Sequence, residues 1–145
     1  MTTSDGYVIG TTKIVDNGPS SRLWDLVILG DGYQASEMDK YHSDVQSFVD
    51  HFRVTAPFNQ LWCRINVYRV DVVSTDSGAD DPVTCGDDSP GTTGSGATRA
   101  TYFDSKFCYD NDTRRLLAGD EATALAVSNA QVPLGNATVV IVNTP

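Results

Sequence analysis

Apolar positions along the chain fall into runs of distinct kinds. Leu26-Val-Ile-Leu29 is unbroken and stands directly before Gly30-Asp-Gly32, and Ala137-Thr-Val-Val-Ile-Val142 is a second continuous run. Short continuous apolar runs of this kind read as strands buried on both faces, as in a parallel sheet. Residues 7 to 15 (Tyr-Val-Ile-Gly-Thr-Thr-Lys-Ile-Val) and Trp62 to Val73 are rich in β-branched residues and also read as strands, with Gly10 marking a bulge or bend. In the second of these, Ile65, Val67 and Val73 share one face with Arg69 and Asp71, so that face is expected to be only partly covered. Asn66, Tyr68, Val70 and Val72 share the other face.

Helical spacing occurs in two places. Met38, Tyr41, Val45, Phe48, Val49 and Phe52 recur every three or four residues and predict a helix over Ser36–Phe52. Ser36 is its expected N-cap, Glu37 lies in its first turn, and Pro57 lies beyond its end. A second helix is predicted over Asp120–Ala130, with Asp120 as cap and Pro133 past the end. Ala122, Leu125, Ala126 and Asn129 share one face of it.

Strand, helix, strand in succession predicts a parallel crossover. The turn signal Asp16-Asn-Gly-Pro19 predicts that the first two strands pair as a loose hairpin. The expected fold class is therefore α/β: one domain with a mostly parallel central sheet on Leu26–Leu29, Ile65–Val73 and Val139–Val142, and both helices packed on it. Periodicity stops after Ser74, where residues 74–100 form a long Gly/Ser/Asp-rich loop of the sort that is functional or disordered. Thr101-Tyr-Phe-Asp104 reads as a short strand or turn packed on the domain. Ligands of open α/β sheets sit at the carboxyl ends of the parallel strands, so Gly30 to Tyr33 are expected at the edge of any site.

Composition narrows the function classes. Hydrophobic content of 40% and charged content of 20% are those of an ordinary globular protein. A net charge of −9, with ten scattered Lys and Arg, excludes nucleic acid and anionic membrane surfaces as expected partners. No apolar run approaches the roughly 18–20 residues of a membrane span, and no secretory leader is legible after Met1. Cysteines number three, an odd count; Cys85 and Cys108 are the candidate pair to staple the long loop, which leaves Cys63.

Candidate chemistry is sparse. His42 and His51 are the only histidines, and their spacing puts them on opposite helix faces, unable to chelate one ion together. Gly94-Ser95-Gly96 lacks the spacing of a nucleophile elbow, and no histidine follows it. A standalone hydrolase or esterase would need Ser74 or Ser77 to converge with Asp31 or Asp76 and with His42. Asp76, Asp80, Asp81, Asp87 and Asp88 supply hard oxygens for Ca²⁺ but lack EF-hand spacing; the alternative is a solvated acidic loop. Gly30-Asp-Gly32 has neither Gly-x-Gly-x-x-Gly nor a P-loop lysine, leaving Asp31 as the carboxylate best placed by topology. A third class is a non-catalytic binding or assembly domain that uses the loop from Ser74 to Thr98.

Several segments carry a family resemblance: Asp16-Asn-Gly-Pro-Ser-Ser21, Leu26-Val-Ile-Leu-Gly-Asp-Gly-Tyr33 and Tyr68-Arg-Val-Asp-Val-Val-Ser-Thr-Asp-Ser-Gly-Ala-Asp-Asp-Pro82. With Thr101-Tyr-Phe-Asp-Ser-Lys-Phe-Cys108 and Ala122-Thr-Ala-Leu-Ala-Val127, they resemble the immunoglobulin-A peptidase family of zinc metallopeptidases over nearly the whole chain, in order. The resemblance implies a zincin-like fold, a protein or peptide substrate, and an extracellular or periplasmic bacterial location. It also implies a His-Glu-x-x-His zinc helix, which this sequence does not contain, so no zinc ligand is carried over to any residue here. The expectation is the N-terminal part of a zincin catalytic domain, with zinc bound by the full-length family member and no cofactor within this chain. Pairing of the chain with another copy through an exposed sheet edge is expected as well.

Overall fold

The structure, a computed structural model, describes residues 5–86 and 93–144. Strands β1 (Gly6–Val15), β2 (Trp24–Asp31), β3 (Ile65–Ser74) and β4 (Ala137–Val142) form an open sheet in the order β1-β3-β2-β4. β3, β2 and β4 run parallel, whereas β1 lies antiparallel on the outer edge of β3. Helices α1 (Met38–Val54), α2 (Phe58–Leu61) and α3 (Glu121–Gln131) complete the fold. This is the α/β class with a mostly parallel sheet that the apolar runs predict.

The buried β2 alternates between two cores. Leu26 and Ile28 join Tyr41, Val45 and Val49 of α1 and Ile65 and Val67 of β3. Val27 and Leu29 join Val70, Val72, Phe103 and Ala124 on the opposite face. Both faces are covered, which explains why the strand reads as a continuous apolar run. Gly30 permits a close contact with α1. A Cβ there would lie 2.7 Å from the Tyr41 ring, and without one the Tyr41 hydroxyl donates to the carbonyls of Ile28 (3.1 Å) and Val70 (2.9 Å). Burial pushes the Tyr41 phenol well above its ordinary range. The charges in mid β3 are paired: Arg69 holds Asp71 through two nitrogens, and His42 Nε2 of α1 lies 3.1 Å from the same carboxylate.

Three expectations need correction. β1 and β2 do not form a hairpin, because β3 lies between them in the sheet. The turn at Asp16 to Pro19 sends the chain across β3, and Asn17 there bonds to the carbonyls of Trp62 and Ile65. β3 starts at Ile65, since Trp62–Arg64 is a 3-10 turn. Ser36 is not the N-cap. A 3-10 turn over Ala35–Glu37 precedes α1, and Gln34 caps it in a reciprocal box with Glu37. On α3, where Asp120 caps as expected by accepting from the Thr123 N–H, Ala124 and Ser128 face inward. Ala122, Leu125, Ala126 and Asn129 share one face as expected, and it is the solvent face.

Cys85 and Cys108 are joined across a sequence separation of 23. In the chain-entropy view, closing such a loop stabilises a fold by roughly 3–4 kcal/mol. The Cys85→Ser/Cys108→Ser variant is therefore expected to lose about 3 kcal/mol in urea unfolding. A loss below about 1 kcal/mol would show that the segment is held without the bridge.

Candidate functional site

The carboxyl ends of β2, β3 and β4 come together at Asp31, Ser74 and Asn143. Asp31 is 0% exposed. Its carboxylate accepts from Ser74 Oγ (3.1 Å), Thr101 Oγ1 (3.0 Å), Phe103 N (3.0 Å) and Ser105 N (3.1 Å). Asp31 thus anchors the turn at 101–105 to the end of the sheet. Ser74 is equally enclosed at 2% exposure, and its hydroxyl also accepts the amides of Gly32 and Tyr102. The strand-end rule singles out Asp31, whereas Ser74, read as the first residue of the long loop, is the last residue of β3. Their chemistry is spent on holding backbone, not on meeting solvent.

Above this latch lies an open cleft of about 590 Å³ lined by Gln34, Glu37, Lys40, Asp76, Ser77, Arg99 and Asn143, among others. Its floor is a bonded network. Glu37 accepts from Ser77 Oγ (2.9 Å), from the Gln34 amide (2.9 Å) and from Asn143 Nδ2 (3.3 Å). Asn143, at 6% exposure, also donates to the Gly32 carbonyl at 2.9 Å and accepts from Lys40 Nζ at 2.9 Å. Burial by itself would raise the Glu37 carboxyl. The hydrogen bonds from Gln34, Ser77 and Asn143 outweigh it and hold the group below the ordinary carboxylate range. A carboxylate so stabilised is a poor proton acceptor, so Glu37 orients Ser77 and does not activate it.

The sequence-derived candidates separate accordingly. Asp31 and Ser74 share the buried latch; Asp76 and Ser77 line the cleft; His42 sits with Asp71 and Arg69 on β3. No serine shares a bond with His42 among the described residues, so a Ser-His-Asp set is not assembled. Glu37, Lys40, Arg99 and Asn143 were not among the candidates. The only local hints were Glu37 three residues after Gln34 and Asn143 directly after the last apolar run.

The acidic loop has another use. Asp76 accepts from the Ala100 amide (2.8 Å), Asp80 from Arg99 N and Asp81 from Ser95 N (2.6 Å). These carboxylates pin the 93–100 segment to the cleft wall. Asp87 and Asp88 lie outside the described residues. No group of three or more His, Cys, Asp or Glu able to hold a metal ion occurs among the described residues.

An open sheet with a polar cleft at the carboxyl ends of its parallel strands defines an α/β domain built to present a ligand site in that position. Its class is peptidase-related: the sequence model described as IgA Peptidase M64 matches residues 12–144. The chain belongs to that family of metallopeptidases. No curated protein matches the chain.

A family metal is thereby implied, and the described residues assemble no donor set that fits it. Zinc needs three or four converging nitrogen, sulfur or carboxylate ligands. Here His42 is committed to Asp71, and His51 Nδ1 lies 2.7 Å from the Ser47 carbonyl of its own helix. Cys85 and Cys108 are bridged and Cys63 is exposed.

Proposed function

We propose that this chain is the N-terminal portion of the catalytic domain of a secreted bacterial zinc metalloendopeptidase, and that it forms one wall of the substrate cleft. The observation that carries this reading is the cleft itself, built on Gln34–Glu37, Asp76–Gly78 and Asn143 in a chain matched over residues 12–144 by a metallopeptidase family. Its amide, hydroxyl, carboxylate and cationic groups suit the polar backbone and side chains of a polypeptide substrate. Zinc ligands then come from a part of the peptidase domain outside these 145 residues. The Cys85–Cys108 bridge agrees with an oxidising extracellular or periplasmic setting.

Metal analysis and peptide cleavage test the reading on two products: the 145-residue chain, and the translation of its gene read through past residue 145. The short chain is expected to hold no stoichiometric zinc and to cleave no peptide. The longer product is expected to contain a His-Glu-x-x-His segment, to bind zinc and to cleave. Tightly held stoichiometric zinc on the short chain, or a read-through without that segment, overturns the reading.

A further inference from the structure

A second concavity lies at the amino ends of the parallel strands, opposite the cleft. Trp24 and Ile65, the first residues of β2 and β3, pair in register. The chain approaches Ile65 through α2, a single turn, so Phe58 and Leu61, three residues apart, fall on one side of it. With the apolar stem of Arg64, these four side chains enclose a groove of about 300 Å³. That is the lower end of the roughly 300–1,000 Å³ of small-ligand pockets, and enough for one large side chain. Phe58 is held from behind by Phe52 of α1, with 3.9 Å between ring centroids, so this wall is preformed. Leu61, on the opposite end of α2, is 52% exposed.

Charge around the groove departs from the rest of the chain. The protein carries 19 Asp and Glu, yet none stands from His51 to Val70, the stretch that supplies Phe58, Leu61, Arg64 and Ile65. Arg53 lies with its guanidinium 5.8 Å from the Trp62 ring, and neither it nor Arg64 has a carboxylate partner among the described residues. Lys13, Lys40, Arg69 and Arg114 each have one. Carboxylates of the flanking segments are engaged or sealed. Asp50 accepts from Gln46, Asp16 from Lys13 and Asp71 from Arg69, and Asp25 is 0% exposed.

We infer that this groove docks a polypeptide segment in which one large apolar side chain is flanked by Asp or Glu. The apolar walls bury the anchor, and the unpaired guanidiniums of Arg64 and Arg53 receive the carboxylates beside it. An anionic bilayer is the poorer occupant, because the groove is concave and a chain of net −9 is repelled by such a surface. The site stands at the far end of the sheet from the cleft and does not depend on how the cleft is used.

Three peptides titrated into the isotope-labelled intact chain test this: acetyl-Glu-Glu-Phe-Glu-Glu-amide, its analogue with Lys for Glu, and its analogue with Ala for Phe. The first is expected to shift the Trp24 indole and the amides of Leu61 and Arg64, and to bind at least about tenfold tighter than either analogue at low salt. Its affinity is expected to fall as salt rises. Leu61→Asp and Arg64→Glu change exposed side chains, and each is expected to lower the affinity about tenfold or more, with Arg64→Glu also turning the preference towards the Lys peptide. Circular dichroism checks that each is folded; should either not fold, Arg64→Gln, which keeps the stem, takes its place. Absence of binding at millimolar peptide, equal binding of an analogue, shifts confined to Ser77, Gly78 and Asn143 of the cleft, or unchanged affinity in the folded variants each overturns the proposal. So does co-sedimentation with phosphatidylglycerol vesicles in place of peptide binding, or self-association that Leu61→Asp abolishes, which would make a membrane or a second copy the occupant. The read-through product is expected to bind the peptide as well, and loss of binding there assigns the groove to the chain's own continuation and overturns the proposal.

Discussion

Asp31→Ala is expected to destabilise the protein by about 4 kcal/mol or more, because it strips the acceptor from four donors in a sealed site. Phe103 N and Ser105 N lie at 3.0 and 3.1 Å from the carboxylate, and the hydroxyls of Ser74 and Thr101 at 3.1 and 3.0 Å. A buried donor left unpaired costs about 1–3 kcal/mol, and the two amides cannot rotate towards another partner. Against the roughly 5–15 kcal/mol that holds an ordinary domain together, this loss is severe. Urea unfolding followed by the fluorescence of Trp24 and Trp62 measures it. Asp31→Asn keeps one acceptor oxygen but turns an NH₂ towards donors, so it should fall between the parent and Asp31→Ala. A change below about 1 kcal/mol for Asp31→Ala would refute the latch.

Gly32→Ala is the second large effect. Gly32 has φ +71°, a conformation that costs an L-residue about 1–2 kcal/mol, and a Cβ added there would run into the Gly78 carbonyl oxygen. That carbonyl belongs to the residue whose amide bonds the Gly32 oxygen at 3.0 Å, the same oxygen that Asn143 Nδ2 reaches at 2.9 Å. The methyl group therefore pushes apart the strand ends on which the cleft rests. The expected loss is about 3 kcal/mol, with amide NMR shifts of Ser77, Gly78 and Asn143 displaced together. Gly10→Ala is the control. Nothing lies within 4 Å of its added Cβ, so its stability should move by no more than about 0.5 kcal/mol.

How much of this was legible beforehand depends on the range over which each feature is decided. The buried strands, the α1 face and the Asp120 cap are written in neighbouring residues, and they were read correctly. So was the class of the fold. The hairpin expectation failed because strand pairing is settled across the whole chain: β1 finds β3 some fifty residues on, with Val15 beside Val67 and Gly6 beside Ser74. The outward turn of Leu125 was illegible for a related reason. α3 packs through its small residues Ala124 and Ser128, and alanines spread over both its faces give its apolar pattern no direction. The candidate site divided in the same way. The rule of strand ends points to Asp31, but Ser74 reads as the start of the loop, and the partners Thr101, Phe103 and Ser105 come from a loop with no periodicity. Glu37 and Asn143 meet only because α1 and β4 fold against one another.

The Cys85–Cys108 bridge has a topological consequence. Residues 85 to 108 and the bond between their ends make a covalent ring, and Thr101, Phe103 and Ser105 are members of it. A protease that severs one peptide bond inside that ring opens it without releasing a piece. The two resulting polypeptides remain a single molecule, and where the cut falls before Thr101, Asp31 still grips the C-terminal one.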